Sequence, residues 1–109
     1  MALREQADRY DHFIDGEFVE STGDDRLEVE FPYNGEVWAS VPHGTSEDVD
    51  RAVDAAKEAF PEWRKTTHSE RYEHLHAIAD ALDEHADELG ELETRQNGKL
   101  IREMKGQAA

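Results

Sequence analysis

The sequence predicts an α/β fold in which two β-hairpins are followed by two long amphipathic helices. In the N-terminal half, apolar residues alternate with polar ones, a period of two that is typical of half-buried strands. In the C-terminal half, apolar residues recur at helical spacing. Two Thr residues, each followed three positions later by an acid, mark the expected helix starts at Thr45 and Thr67.

The composition limits the protein to one small, acidic domain. The 109 residues include 27 acidic and 12 basic side chains, a formal net charge of -15. Such a charge repels nucleic-acid phosphates and anionic lipids, so we expect neither as a partner. Because the acids are interleaved with apolar residues, we interpret them as adaptation to high salt rather than disorder. The chain has no signal peptide and no run of about 18 apolar residues, and we expect a cytoplasmic protein.

The strands are predicted from alternation and turn chemistry. Residues 1–11 are polar and are expected to form a disordered or frayed terminus. Residues 12–109 are expected to be the N-terminal portion of a larger domain that is incomplete here. Asp15-Gly16 favours a two-residue hairpin turn within residues 12–20. A second hairpin is predicted around the turn at residues 32–35, ending at Pro42. Its inward positions are Leu27, Val29 and Phe31 on one strand and Val37, Ala39 and Val41 on the other.

The first helix is predicted to start at Thr45, since Asp48 completes an acidic form of the capping box. Pro61 is expected to kink or end this helix, because proline lacks the amide proton of a helix interior. Asp50, Asp54 and Lys57 lie on the predicted solvent face. The shared apolar face comprises Val49, Ala52, Val53, Ala56, Phe60 and Trp63.

The second helix is predicted to start at Thr67, with Glu70 as its capping partner, and to run for about eight turns. Gly90 is its expected weak point, and Asn97-Gly98 ends it. Leu100, Ile101 and Met104 predict a short third helix of fewer than three turns. The apolar face of the second helix comprises Tyr72, Leu75, Ile78, Ala79, Leu82, Ala86, Leu89 and Leu92.

Five segments in register resemble the N-terminal end of the aldehyde dehydrogenase superfamily. They are Phe-Ile-Asp-Gly-Glu-Phe-Val at 13–19, Pro-Tyr-Asn-Gly-Glu-Val-Trp at 32–38, the alanine-rich run 48–63, Ser-Glu-Arg at 69–71 and Asn-Gly-Lys at 97–99. The resemblance extends from about residue 13 to residue 99. Phe31 and His68 depart from the Asn and Pro that are usual at these places in the family.

The resemblance implies an enzyme that oxidises an aldehyde to a carboxylic acid with NAD or NADP. In that family a cysteine thiolate attacks the carbonyl and a glutamate activates the water that releases the acid. This chain contains no cysteine, and the resemblance covers about the first fifth of such an enzyme. We therefore expect no catalytic, cofactor-binding or metal-binding residue here, and no cofactor on this chain alone. The expected partner is the remainder of the enzyme or a partner chain, and the complete enzyme is expected to be a homo-oligomer.

Single residues with other chemical interpretations are better explained by structure. His74 and His76 are two apart on a helix and point in different directions, which disfavours a metal site. Asn97-Gly98-Lys99 lacks the frame of a phosphate loop and is expected to be a helix cap. Asp24-Asp25 lacks the spacing of a calcium loop. Trp38, Phe60 and Trp63 are expected to pack in a core or an interface.

Two hypotheses of different classes follow. The first is an N-terminal fragment of an NAD(P)-dependent aldehyde dehydrogenase, inactive alone. The alternative is a free-standing acidic interaction module that presents the helix faces around Val53 and Leu82 to a partner and has no catalysis.

Overall fold

A computed structural model describes residues 8–108, with side chains up to residue 104. Five strands precede four helices, which is the predicted mixed α/β order. The strands are β1 (Asp8–Arg9), β2 (His12–Ile14), β3 (Glu17–Val19), β4 (Arg26–Glu30) and β5 (Val37–Pro42). The helices are α1 (Ser46–Trp63), α2 (His68–Glu84), α3 (Ala86–Asn97) and α4 (Ile101–Ala108).

The β2–β3 hairpin forms as predicted. The two strands are antiparallel, with Phe13 opposite Phe18. Asp15 and Gly16 both adopt positive φ, 54° and 76°, the conformation that a two-residue hairpin turn requires. The rings of the two phenylalanines are 5.1 Å apart and tilted by 62°, so they form an aromatic pair on one face of the hairpin.

The second hairpin becomes part of a three-stranded sheet in the order β1-β5-β4. Strands β4 and β5 are antiparallel, as predicted, and β1 adds in parallel to β5. Asp8 and Arg9 therefore form a strand, although they lie in the stretch that was expected to be frayed. Backbone pairing continues at Tyr10, whose amide donates to the Ser40 carbonyl at 3.0 Å. Residues 1–7 lie outside the described part of the chain.

Both predicted capping boxes are present. The Thr45 hydroxyl accepts from the amide of Asp48, and the Asp48 carboxylate accepts from the amide of Thr45. Thr67 and Glu70 make the same reciprocal pair at the start of α2. Pro61 lies inside α1, which ends at Trp63. These caps satisfy amide groups that have no partner within a helix.

The prediction of one unbroken helix after Thr67 is wrong. The chain leaves helical geometry at His85, with φ −105° and ψ 14°, so that α2 and α3 are separate helices. Gly90, the expected weak point, is instead buried inside α3. The break allows α3 to pack against β4 and α4, a long-range effect that overrides local helix propensity. Gly98 ends α3 at φ 76°, as predicted.

The buried apolar core of the described residues is small and lies between the sheet, α3 and α4. Its members are Phe31, Ala39 and Met104. The radius of gyration is 17.2 Å, whereas a compact domain of this length has about 13 Å. In this structure α1 packs mainly against β2, and α2 mainly against α3. Neither these nor the other described helices are long and apolar enough to cross a membrane.

Candidate functional site

The apolar faces of α1 and α2 are the most extensive candidate site. On α1, the side chains of Val49 and Phe60 are 59% and 57% exposed. On α2, Leu75 is 67% exposed and Ile78 is 56% exposed. Large apolar side chains arranged along one helix face are normally covered by protein. The predicted faces therefore exist, and the described part of this chain does not cover them.

Asp48 forms the most connected polar site among the described residues. It is only 3% exposed. Its carboxylate accepts hydrogen bonds from the Ser21 hydroxyl at 2.5 Å, the Thr22 amide at 2.9 Å and the Thr45 amide at 3.0 Å. The Nε2 of His12 lies 3.0 Å from the same group. One carboxylate thus joins the hairpin, the loop after it and the start of α1.

These hydrogen bonds hold the pKa of Asp48 well below its usual range. The Ser21 hydroxyl contributes most, followed by the amides of Thr22 and Thr45. Each donor stabilises the charged form, whereas burial opposes it, and the donors prevail. The carboxylate is therefore a fixed negative charge at the N-terminus of α1, where the helix dipole also favours an anion.

The contacts at Asp48 differ from the arrangement of a serine nucleophile. A serine nucleophile needs an adjacent general base, most often an imidazole, that takes its proton. Here Ser21 and His12 both contact Oδ2 of Asp48, so the serine proton is directed to the carboxylate. The residues that converge on Asp48 consequently position the hairpin against α1.

Arg26 has a comparable role in the sheet. Its guanidinium donates to the carbonyls of Tyr10 and Ser40 and to the carboxylate of Asp11. A planar group with several donors can hold three acceptors at once. This contact ties the segment after β1 to β4 and β5, and it holds Tyr10 and Asp11, which lie within the stretch that was expected to be frayed.

The other residues that were considered from sequence have structural surroundings. His74 packs against Trp63, and His76 packs against Tyr72. Among residues 8–108, no three potential metal ligands of the His, Cys, Asp and Glu types come together. Glu70 accepts from the Thr67 amide and caps α2, as predicted.

Of the three aromatic residues expected to pack, Trp38 has well-defined ring contacts, whereas Phe60 and Trp63 are only partly covered. Trp38 packs edge-on against Tyr10, and the guanidinium of Arg95 lies over its ring. Its side chain lines a cavity of about 270 Å³ beside α3. Phe60 and Trp63 remain about half exposed. In the segment Asn97-Gly98-Lys99, the Asn97 side chain accepts from the Lys99 amide, the geometry of a helix end.

Comparison with known proteins identifies the family. The profile described as the aldehyde dehydrogenase family matches residues 18–109. The chain belongs to the aldehyde dehydrogenase family. It is 38% identical over 110 residues to the alpha-ketoglutaric semialdehyde dehydrogenase of Bacillus subtilis, covering 100% of this chain and 22% of that protein. It is 42% identical over 96 residues to malonate-semialdehyde dehydrogenase 1 of Geobacillus kaustophilus, covering 88% and 20%.

Solved aldehyde dehydrogenases have the same fold in this region. A point mutant of the betaine aldehyde dehydrogenase of Staphylococcus aureus, in complex with NAD⁺, matches with a TM-score of 0.83 and 39% identity. The match covers 90% of this chain and 20% of that one. The chain spans about a fifth of the length of its relatives and corresponds to their N-terminal part. The resemblance inferred from the five motifs is therefore confirmed.

The convergence of side chains on Asp48 was not predicted from the sequence. The capping box identified Asp48 as the partner of Thr45, but His12, Ser21 and Thr22 are 36, 27 and 26 positions away. A weak signal was present, since Ser21-Thr22-Gly23 places two hydroxyls beside a glycine. A Cβ on Gly23 would lie 2.8 Å from the Thr45 side chain, so the loop approaches α1 closely only with glycine there.

Proposed function

We infer that this chain forms the N-terminal structural segment of an NAD(P)-dependent aldehyde dehydrogenase. The complete enzyme would oxidise an aldehyde to a carboxylic acid. This segment would support the cofactor-binding part of the protein without contributing a catalytic group. The inference rests on the family match together with the uncovered apolar faces of α1 and α2.

The chemistry of the family assigns the reaction to residues outside this segment. Attack on an aldehyde carbonyl requires a strong nucleophile, and the family uses a cysteine thiolate. The chain contains no cysteine, and the described residues hold no activated serine in its place. The NAD⁺ in the Staphylococcus aureus relative supports NAD or NADP as cofactor of the complete enzyme. By itself the segment is expected to be inactive.

The exposed apolar area of α1 and α2 supports a role in docking onto the rest of the enzyme. Fully burying one large aliphatic side chain contributes roughly 1.5–3 kcal/mol. Val53, Phe60, Ile78 and Leu82 are each between 44% and 57% exposed, so about half of that contribution is still available at each of them. Docking of α1 and α2 onto the rest of the enzyme would provide it.

The composition and the family also suggest a cellular location, an oligomeric state and a salt range for the complete enzyme. We propose a cytoplasmic homo-oligomer that works at high salt, since the net charge of -15 is screened there. The alternative of a free-standing interaction module has no support from the relatives, all of which are aldehyde dehydrogenases.

A hybrid enzyme tests the proposal. The segment of Geobacillus kaustophilus malonate-semialdehyde dehydrogenase 1 that aligns with this chain is replaced by the chain, and NADH production is followed with that enzyme's own substrate. We expect the hybrid to retain activity and the same enzyme without any such segment to be inactive. The isolated chain is expected to bind no NAD in calorimetry and to oxidise no aldehyde. A folded but inactive hybrid, or turnover by the isolated chain, would contradict the proposal.

A further inference from the structure

The β2–β3 hairpin lies against α1 in such a way that a phenylalanine of the hairpin adjoins the apolar face of the helix. Two neighbouring cavities of about 230 and 290 Å³ lie between these elements, and Phe13, Ile14 and Ala52 line both of them. Val49 also lines the first cavity, and Ala56 the second. Phe13 therefore stands beside the helix face that the sequence predicted to be apolar.

Phe18 extends this apolar surface across the hairpin. It lies directly opposite Phe13 in the antiparallel pair, and the two rings are in contact. Residues that face each other across two paired strands project from the same side of the sheet. Phe13 and Phe18 are nevertheless 64% and 75% exposed. The two phenylalanines, together with Val49, Ala52 and Ala56, form an uncovered apolar patch that is called the hairpin–α1 surface below.

The contacts of Asp48 fix the hairpin relative to the helix. Asp48 lies in the first turn of α1. His12 begins β2, and its Nε2 lies 3.0 Å from Oδ2 of Asp48. Ser21 and Thr22 follow β3 and donate to the same carboxylate. Both ends of the hairpin are thus tied to the start of α1, so the aromatic pair and the helix face are presented together.

The rest of the enzyme's own polypeptide is the best candidate to cover the hairpin–α1 surface. The Staphylococcus aureus relative contains this fold as 20% of its chain, so most of such an enzyme lies outside this segment. A second copy of this chain is a poorer occupant, because its net charge is also -15 and the two copies repel each other. The residues of the surface carry no charge, which suits an apolar occupant.

We propose that the hairpin–α1 surface is a docking site for an apolar segment in the remainder of the polypeptide, and that Asp48 positions the hairpin for this docking. The proposal rests on the proposed function and deepens it. It adds the aromatic pair of the hairpin to the helix faces that dock. It also gives the buried carboxylate a role in shaping the surface that the rest of the enzyme contacts.

Reaction of a single thiol with a maleimide tests whether the surface is covered. Phe18→Cys places the thiol on the surface, and Glu17→Cys is the control, because adjacent residues of a strand project to opposite faces. Mass spectrometry of the hairpin peptide gives each rate in the isolated chain and in the hybrid enzyme. We expect both thiols to react rapidly in the isolated chain. In the hybrid, the thiol at position 18 should react at least tenfold more slowly, and the thiol at position 17 less than twofold.

A second substitution tests the positioning role of the Asp48 contacts. Ser21→Ala removes one donor to Asp48 and is combined with Phe18→Cys in the hybrid enzyme. We expect the thiol at position 18 to react at least threefold faster than without Ser21→Ala. The control is Thr67→Ala, which removes a hydroxyl that caps α2 and should leave this rate unchanged. Equal rates for the two substitutions would show a general loss of stability and would contradict the positioning role.

The possible outcomes separate this proposal from the proposed function. An active hybrid in which the thiols at positions 17 and 18 are equally reactive refutes this proposal and leaves the proposed function intact. A hybrid without activity refutes the proposed function itself. Protection of position 18 in the isolated chain also refutes this proposal. If that protection increases with protein concentration, a second copy covers the surface, and if it does not, the chain covers the surface itself.

Discussion

Truncation of Leu75 should have different costs in the isolated chain and in the assembled enzyme. Fully burying a leucine side chain contributes roughly 1.5–3 kcal/mol. Leu75 is 67% exposed, so about a third of that value, ~0.5–1 kcal/mol, is present in the chain alone. If the remainder of the enzyme covers α2, Leu75→Ala should cost a further ~1–2 kcal/mol there.

The assay is urea unfolding, followed by circular dichroism, of the isolated chain and of the hybrid enzyme. Leu92→Ala is the matched control, because Leu92 is already partly buried within this chain, where it lines the same cavity as Trp38. Its cost should be similar in both contexts. If Leu75→Ala costs the same in the hybrid as in the isolated chain, α2 is not covered and the reasoning fails.

Three further predictions concern the caps and the charges. The pKa of Asp48 is lowered from its ordinary value of 3.8, so its stabilising effect is complete above that pH and is lost as the pH falls below it. The urea midpoint of unfolding should fall less steeply with decreasing pH in Asp48→Asn than in the unsubstituted chain. The exposed substitution Asp50→Asn is the control and should give the same curve as the unsubstituted chain. Thr67→Ala should destabilise α2 by about 1 kcal/mol, measured by urea unfolding, whereas Thr67→Ser should not; equal losses would exclude the cap as the cause. Because molar salt reduces the screening length to about 3 Å, circular dichroism should show more helix there than in dilute buffer, and identical spectra would count against salt adaptation.

Local signals in the sequence predicted most elements of the fold. Asp15-Gly16, the two capping boxes and Gly98 each act within a few residues, and each lies where it was expected. The break at His85 was missed because no local signal marks it. It depends on how α3 packs against the sheet, which periodicity along one helix does not show.

The candidate sites could be predicted from the sequence only in part. The apolar faces of α1 and α2 follow from helical spacing, and the structure shows them exposed. The convergence of His12, Ser21 and Thr22 on Asp48 could not be predicted, because it depends on where the hairpin lies relative to α1.

Cysteine labelling tests most directly whether the rest of the enzyme covers the apolar face of α2. The chain has no cysteine of its own, so Ile78→Cys and Asp80→Cys each introduce one thiol, and mass spectrometry of the α2 peptide gives its rate of reaction with a maleimide. Both thiols should react rapidly in the isolated chain. In the hybrid enzyme, the thiol at position 78 should be strongly protected and the thiol at position 80 should remain reactive. Equal reactivity of the two thiols in an active hybrid would contradict the proposed docking of this helix.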